Sequence, residues 1–281
     1  MTIRIAQISD THLSPEKPFF RENFDKIAES LRDSRPDLVL NTGDLALDGA
    51  DHEADLVEAR AAHDSLGLEW HALPGNHDVG DHLDVARRQP VNAARLERYR
   101  SVFGPDCWSL DVPGWRLLGL NALTLGLDLA GAADQEMLVR DAVADLGGRS
   151  LAIFLHKPLM DETYEEDLAS NRFTTKGPRQ KLLAALGSVT PALIACGHVH
   201  QYRDTLVAGT RHIWAPATSF MISDPWQPGY GVKAVGYVEH AFEADGSFSH
   251  RLVGVRGLVH HDLASYPEAY GDVRAWGPGN A

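Results

Sequence analysis

Ala192-Leu193-Ile194-Ala195-Cys196-Gly197-His198-Val199-His200 is an apolar run that stops at a glycine and hands over to two histidines. A short apolar run ended by Gly or a polar residue reads as a buried strand. The same grammar recurs upstream. Residues 4–9 lead to Asp10-Thr11-His12, and residues 38–42 lead to Gly43-Asp44. Residues 71–73 lead to Pro74-Gly75-Asn76-His77-Asp78, and residues 151–155 lead to His156. Open α/β sheets bind ligands at the carboxyl ends of their strands. Asp10, His12, Asp44, Asn76, His156, His198 and His200 therefore point at one place. That many oxygen and nitrogen donors exceeds what one metal ion uses and suits two.

Between these runs the spacing alternates. Helical periodicity is expected over residues 19–33, 52–66, 91–103, 133–146 and 178–186. Hairpins are expected around Pro113-Gly114, Gly209-Thr210 and Asp245-Gly246, the last joining strands at 232–242 and 247–255. Strands alternate with helices first and pair as hairpins later. This predicts an α/β protein whose mixed sheets are covered by helices.

Composition narrows the function classes. The 281 residues are 44% hydrophobic, with no linker, charge block or internal repeat. Residues 1–256 are expected to form one domain, with 257–281 a tail packed on it or at an oligomer contact. No apolar run reaches the ~20 residues of a membrane helix. The chain opens on a strand rather than a basic and apolar leader, so no secretory signal is expected. Cys107 and Cys196 are the only cysteines, which fits a reducing cytoplasm. The net charge of −13 argues against a nucleic-acid polymer and for a small phosphate-ester substrate.

The five motifs, in this order, resemble those of the calcineurin-like metallophosphoesterase family: Asp-x-His, Gly-Asp, Gly-Asn-His-Asp, a lone strand-end His, and Gly-His-x-His. The resemblance covers residues 3 to about 217. Spacing and length look most like its bacterial branch of cyclic-nucleotide and glycerophosphodiester phosphodiesterases. It implies a four-layer α/β/β/α sandwich of two mixed sheets flanked by helices. It also implies two divalent ions bridged by Asp44, with Asp10, His12 and His200 on the first and Asn76, His156 and His198 on the second. Hydrolysis of a phosphodiester by a metal-bound hydroxide would follow, with His77 at the phosphate or leaving group. The nitrogen and oxygen donors suit manganese, iron or zinc. A phosphomonoesterase, a nuclease, or a non-catalytic metal-binding scaffold are the alternatives on the same site.

Taken singly, each motif has a plainer reading. Asp44 alone reads as a cap, His156 as a core histidine, and Gly75-Asn76 as a turn. It is their order and their place after strands that outweighs this. Asp78 either orients an imidazole or caps a helix. Lys157 stands where many relatives carry a second histidine, and either adds positive charge or lies on the surface. Arg95, Arg98 and Arg100 read as a solvated helix face, and His260-His261 as exposed. The aromatics of residues 219–231 could form a lip that stacks on a base. Acidic residues 161–167 could form a rim favouring diesters over the more highly charged monoesters.

Overall fold

A computed structural model describes residues 1–276 except Arg87, Ala130, Ala169 and Pro225. The first half alternates as expected: β1 (Thr2–Ile8), α1 (Arg21–Ser34), β2 (Leu38–Asn41), α2 (Glu53–Asp64), β3 (Trp70–Ala72), α3 (Asn76–Val79) and α4 (Ala93–Phe103). A hairpin of β4 (Trp108–Val112) and β5 (Trp115–Leu120) follows, then α5 (Ala132–Ala144), β6 (Ser150–Leu155), α6 (Lys176–Leu186) and β7 (Leu193–Cys196). The chain continues through β8 (Arg203–Val207), β9 (Thr210–Trp214), β10 (Phe220–Met221), β11 (Tyr237–Glu243), β12 (Phe248–Val253) and β13 (His261–Asp262). Two short 3₁₀ turns, Leu263–Ser265 and Val273–Trp276, flank α7 (Pro267–Tyr270).

Two mixed sheets result. One has the order β12-β11-β1-β2-β3 and the other β4-β5-β6-β7-β9-β8. β1, β2 and β3 run parallel in the first, as do β5, β6, β7 and β9 in the second. Alternation along each strand builds the layers, because successive side chains face opposite ways. Ile5, Leu38, Leu40, Leu117, Ala152, Phe154, Leu193 and Ala195 fill the space between the sheets. Their neighbours Ala6, Val39, Leu118, Ile153, Leu155 and Ile194 face outward onto Phe24, Ile27, Leu31, Val139 and Leu182 of the helices. The protein is thus a sandwich of two sheets between helices. Both faces of these strands are buried, so they read as unbroken apolar runs rather than alternating ones.

The strand expected at 232–242 starts only at Tyr237. Residues before it leave the sheet for isolated bridges, Tyr202 to Val232 and Ala217 to Val235. The arginines of α4 are not a solvated face. Arg95 pairs with Asp51 at 2.7 Å, Arg98 bonds Ala50 O, and Arg100 pairs with Asp106 at 2.8 Å. His260 is exposed, but His261 is buried and pairs with Phe220 across β10 and β13. Cys107 is half-buried, Cys196 is buried, and both are free. Among the described residues no helix is long and apolar enough to cross a membrane.

Two buried histidines make the fold acid-sensitive. His63 donates Nδ1–H to Ala59 O at 2.7 Å and accepts at Nε2 from Asn41 at 2.9 Å. His240 donates to Gln7 Oε1 at 2.9 Å. Burial pushes their pKa values down to about 4 and about 3. The native state therefore binds fewer protons than the unfolded chain between these values and the ordinary imidazole range. Their contribution is complete above about pH 6.5 and declines as the pH falls toward 4. Each loses on the order of 3 kcal/mol across that window. Melting temperature is expected to fall steeply from pH 6 to 4. A flat profile there would refute the neutral assignment.

Candidate metal centre

Each predicted site residue lies where its strand ends. β1 delivers Asp10 and His12, β2 delivers Asp44, and β3 delivers Asn76 and His77 at the start of α3. His156 follows β6, and His198 and His200 follow β7. The two sheets thus meet at one edge, tied by a buried Gln7 whose amide donates to Cys196 O at 3.0 Å and Thr42 Oγ1 at 3.2 Å. The chain must turn sharply to aim these side chains at a common centre. Seven non-glycine residues carry positive φ among those described, and five are Asp10, His12, Asp44, His198 and His200. Such backbone costs of order 1–3 kcal/mol per residue and collects at functional sites.

Glycines make room for the crowding. A Cβ on Gly75 would meet Asp44 Oδ1 at 2.1 Å, and one on Gly197 would meet Ser9 Oγ at 1.8 Å. Asp78 orients no imidazole. It accepts from the backbone N–H of Gly75 at 2.8 Å, Ala46 at 2.9 Å and Leu45 at 3.2 Å. This carboxylate staples the Asp44 loop to the Asn76 loop.

The inner atoms crowd together. His156 Nε2 lies 3.2 Å from Asp44 Oδ2, 3.2 Å from Asn76 Oδ1 and 3.1 Å from His198 Nδ1. His200 Nε2 lies 3.3 Å from Asp10 Oδ1 and 3.3 Å from His12 Nε2. Asp10, His12 and His200 form one group with donor atoms within 4.8 Å of one another, and Asp44, His156 and His198 form another. The first group has the membership expected from sequence; the second holds Asp44 with the expected His156 and His198, and Asn76 Oδ1 lies 3.2 Å from its His156 Nε2. A third group joins His12, Asp44 and His77, so His77 stands beside both carboxylate and imidazole. Its backbone N–H donates to Asp44 Oδ1 at 2.8 Å.

The outer atoms are tied off. Nδ1–H of His156 donates to Thr42 O at 2.9 Å, and that of His200 to Phe220 O at 2.8 Å. His198 donates through Nε2 to Asn171 O at 2.9 Å. His12 Nδ1 meets the Tyr270 hydroxyl. When neutral, each of the four imidazoles therefore spends its proton outward and turns a lone pair inward. Oδ1 of Asp10 is buried and has no hydrogen-bond partner. Lone pairs pressed together this closely repel unless a cation sits among them. The donors present fit divalent metal, and their outward partners are of the kind that orient metal-binding histidines.

Charge agrees with this. Burial lowers His12 and His198 well below the ordinary imidazole range. Burial lowers His156 too, but the Asp44 carboxylate outweighs it and raises His156 to about 9, so that without a cation a proton on the inward Nε2 supplies the positive charge there. Burial raises Asp44, yet the His156 and His77 imidazoles hold it well below the usual carboxylate range. Asp10 and Asp44 thus stay charged at neutral pH, whereas burial and the Asp44 charge push Asp78 up to about 7.

A cleft of about 430 Å³ opens over these residues. Asn76, His77 and His198 reach its floor, with Asp81, Arg88, Gln89, Asn171, Arg172, Phe220, Ile222, Leu263 and Tyr270 around it. The 219–231 segment does edge the cleft through Phe220, Ile222 and Gln227. Phe220 lies buried beneath His12 and His200, while Tyr230 packs on Phe173, so neither is free to stack on a base. The acidic rim is corrected. Asp161 and Glu162 pair with Arg203 at 2.6 and 2.9 Å, and Glu166 accepts backbone N–H groups of its own loop. None of them lines the cleft, and Arg88 and Arg172 do. Lys157 is neither surface nor free: it is buried in an ion pair with Asp81 at 2.5 Å.

Residues 3–235 match the family described as calcineurin-like phosphoesterase. The chain belongs to that family. As a member it is a metal-dependent phosphoric ester hydrolase. Among curated relatives, it is 25% identical over 215 residues to a probable glycerophosphodiester phosphodiesterase of Arcobacter nitrofigilis, covering 72% of this chain and 73% of that one. It is 26% identical over 269 residues to the 3',5'-cyclic adenosine monophosphate phosphodiesterase of Escherichia coli, covering 90% and 91%. Of solved structures, a purple acid phosphatase from yellow lupin superposes with a TM-score of 0.66 at 14% identity, over 93% of this chain and 53% of that one. A dimetal phosphatase from Danio rerio gives 0.58 at 14% identity, over 85% and 92%. At such identities the two structures speak for the fold alone.

Proposed function

We propose that this phosphoesterase hydrolyses a small phosphodiester, a cyclic nucleotide or a glycerophosphodiester, at the cleft over Asp44. The observation that carries the reading is the set of four imidazoles, each tied outward and aimed inward at two carboxylates. Asp10, His12 and His200 would hold one divalent ion and Asn76, His156 and His198 a second, with Asp44 shared. Manganese, iron and zinc all suit these donors. Ions held there would lower the pKa of a water and offset charge growing on the phosphoryl oxygens. His77, half-buried at the cleft, would hold the proton that the leaving oxygen takes. Arg88 and Arg172 would hold the substrate's remaining charge.

The diester preference is supported by the names of the two curated relatives, since the acidic rim first expected is not at the cleft. One observation favours a second reading. Two guanidiniums at the cleft suit a phosphomonoester, which carries about two negative charges near neutrality. The test compares a chromogenic phosphodiester with the matching monoester after manganese reconstitution. A higher kcat/KM for the diester is expected. A clear monoester preference would overturn the substrate class while keeping the metal site. Inactivity on both, with two ions bound, would favour a narrow substrate or a scaffold.

A further inference from the structure

The family match ends at residue 235, yet the chain returns to the site after it. β13 adds in parallel to β10, pairing His261 with Phe220 and Asp262 with Met221. Buried Asn23 clamps both segments: its amide donates to Val259 O at 2.8 Å and Ser219 O at 3.0 Å, and its oxygen accepts from Val259 N at 2.8 Å. Leu263, Ala269 and Val273 then pack with Phe20, Leu47, Phe220 and Ile222 as a separate apolar cluster. This cluster fixes α7, and α7 ends on Tyr270.

The Tyr270 hydroxyl touches two groups, Leu47 O at 3.0 Å and His12 Nδ1. A carbonyl can only accept, so the single hydroxyl proton goes to Leu47. The phenolic oxygen is then left to accept from His12 Nδ1–H. This leaves the Nε2 lone pair of His12 facing His200 Nε2 and Asp44. The ring of Tyr270 also packs on His77, with centroids 4.5 Å apart. The same segment reaches His200 indirectly, because Phe220 O accepts from its Nδ1.

We propose that Tyr270, delivered by a C-terminal segment beyond the family match, is a positioning residue that sets the tautomer and ring orientation of His12 and so completes the first metal pocket. This rests on the two-metal reading above. The hydroxyl does for His12 what main-chain carbonyls do for His156, His198 and His200. Outer-shell partners of this kind are worth about 10–100-fold in metal affinity.

The test is manganese binding by the full chain, read by titration calorimetry and by electron paramagnetic resonance of the coupled ion pair. Tyr270→Phe keeps the ring against His77 and removes only the hydroxyl. It is expected to weaken the ion at Asp10, His12 and His200 by about 10–100-fold, leaving the other ion's affinity unchanged. At matched free manganese the spectrum should change from a coupled pair to an isolated ion, with the metal-free protein still folded. Val273→Ala loosens the same cluster without touching His12 and is expected to keep the pair. A coupled pair of unchanged affinity in Tyr270→Phe would overturn the inference and leave the two-metal reading standing. Equal weakening in Val273→Ala would overturn the assignment to the hydroxyl. A wild-type protein that forms no coupled pair would overturn both.

Discussion

Asp44→Asn is expected to abolish hydrolysis while the protein stays folded. Asp44 Oδ2 faces His156 at 3.2 Å and His12 at 4.0 Å, while Oδ1 accepts from His77 N at 2.8 Å. One carboxylate thus reaches both donor groups, and its negative charge is what would let two cations share it. Asparagine can keep the Oδ1 hydrogen bond but offers no charge and no second equivalent oxygen. Metal stabilisation of transferring phosphoryl charge is worth several kcal/mol. Losing it corresponds to a rate loss of about 10³-fold or more. Removing the carboxylate also leaves the raised His156 imidazole without its partner at 3.2 Å, so the metal-free variant should melt lower than wild type while remaining folded at assay temperature. Activity above about a tenth of wild type, with two ions still bound, would remove Asp44 from the bridging role.

His77→Ala separates proton donation from metal holding. The ring of His77 lies at the cleft between His12, with centroids 5.1 Å apart, and Tyr270. General acid assistance contributes roughly 10²–10⁴-fold when the leaving group needs a proton. An alkoxide leaving group needs one; 4-nitrophenolate hardly does. The loss is therefore expected to approach that range for a glycerophosphodiester and to be small for a bis(4-nitrophenyl) ester, with two ions retained. Equal losses on both substrates would reassign His77 to substrate binding. Loss of an ion would reassign it to the metal, consistent with its group with His12 and Asp44.

How much of this was legible differs from residue to residue. The expected donors could be named from strand-end motifs alone, and the structure gathers all of them at one edge of the two sheets. Their types, order and strand-end positions are local properties of the chain. Asp78 could be singled out from sequence but not assigned. Its role is a bond to backbone N–H groups thirty-odd residues away, and N–H groups carry no sequence signature. Acidic residues 161–167 misled for the reverse reason. Their composition suggested a rim, but Arg203, from another strand, draws them away from the cleft. The α4 arginines were misread likewise, since Asp51 and Asp106 neutralise them across turns that periodicity does not see.

By itself the sequence determined the α/β class, the strands that carry the donors and the chemistry of those donors. These follow from hydrophobic periodicity and residue type, which act over a few positions. Only the tertiary structure decided which carbonyl or hydroxyl orients each imidazole, that Arg88 and Arg172 rather than residues 161–167 edge the cleft, and that Tyr270 closes it on His12 across 258 positions of chain. Such contacts arise because two sheets and a returning C-terminal segment bury their apolar faces together. The pairing is set by packing in space, and no short stretch of sequence records it.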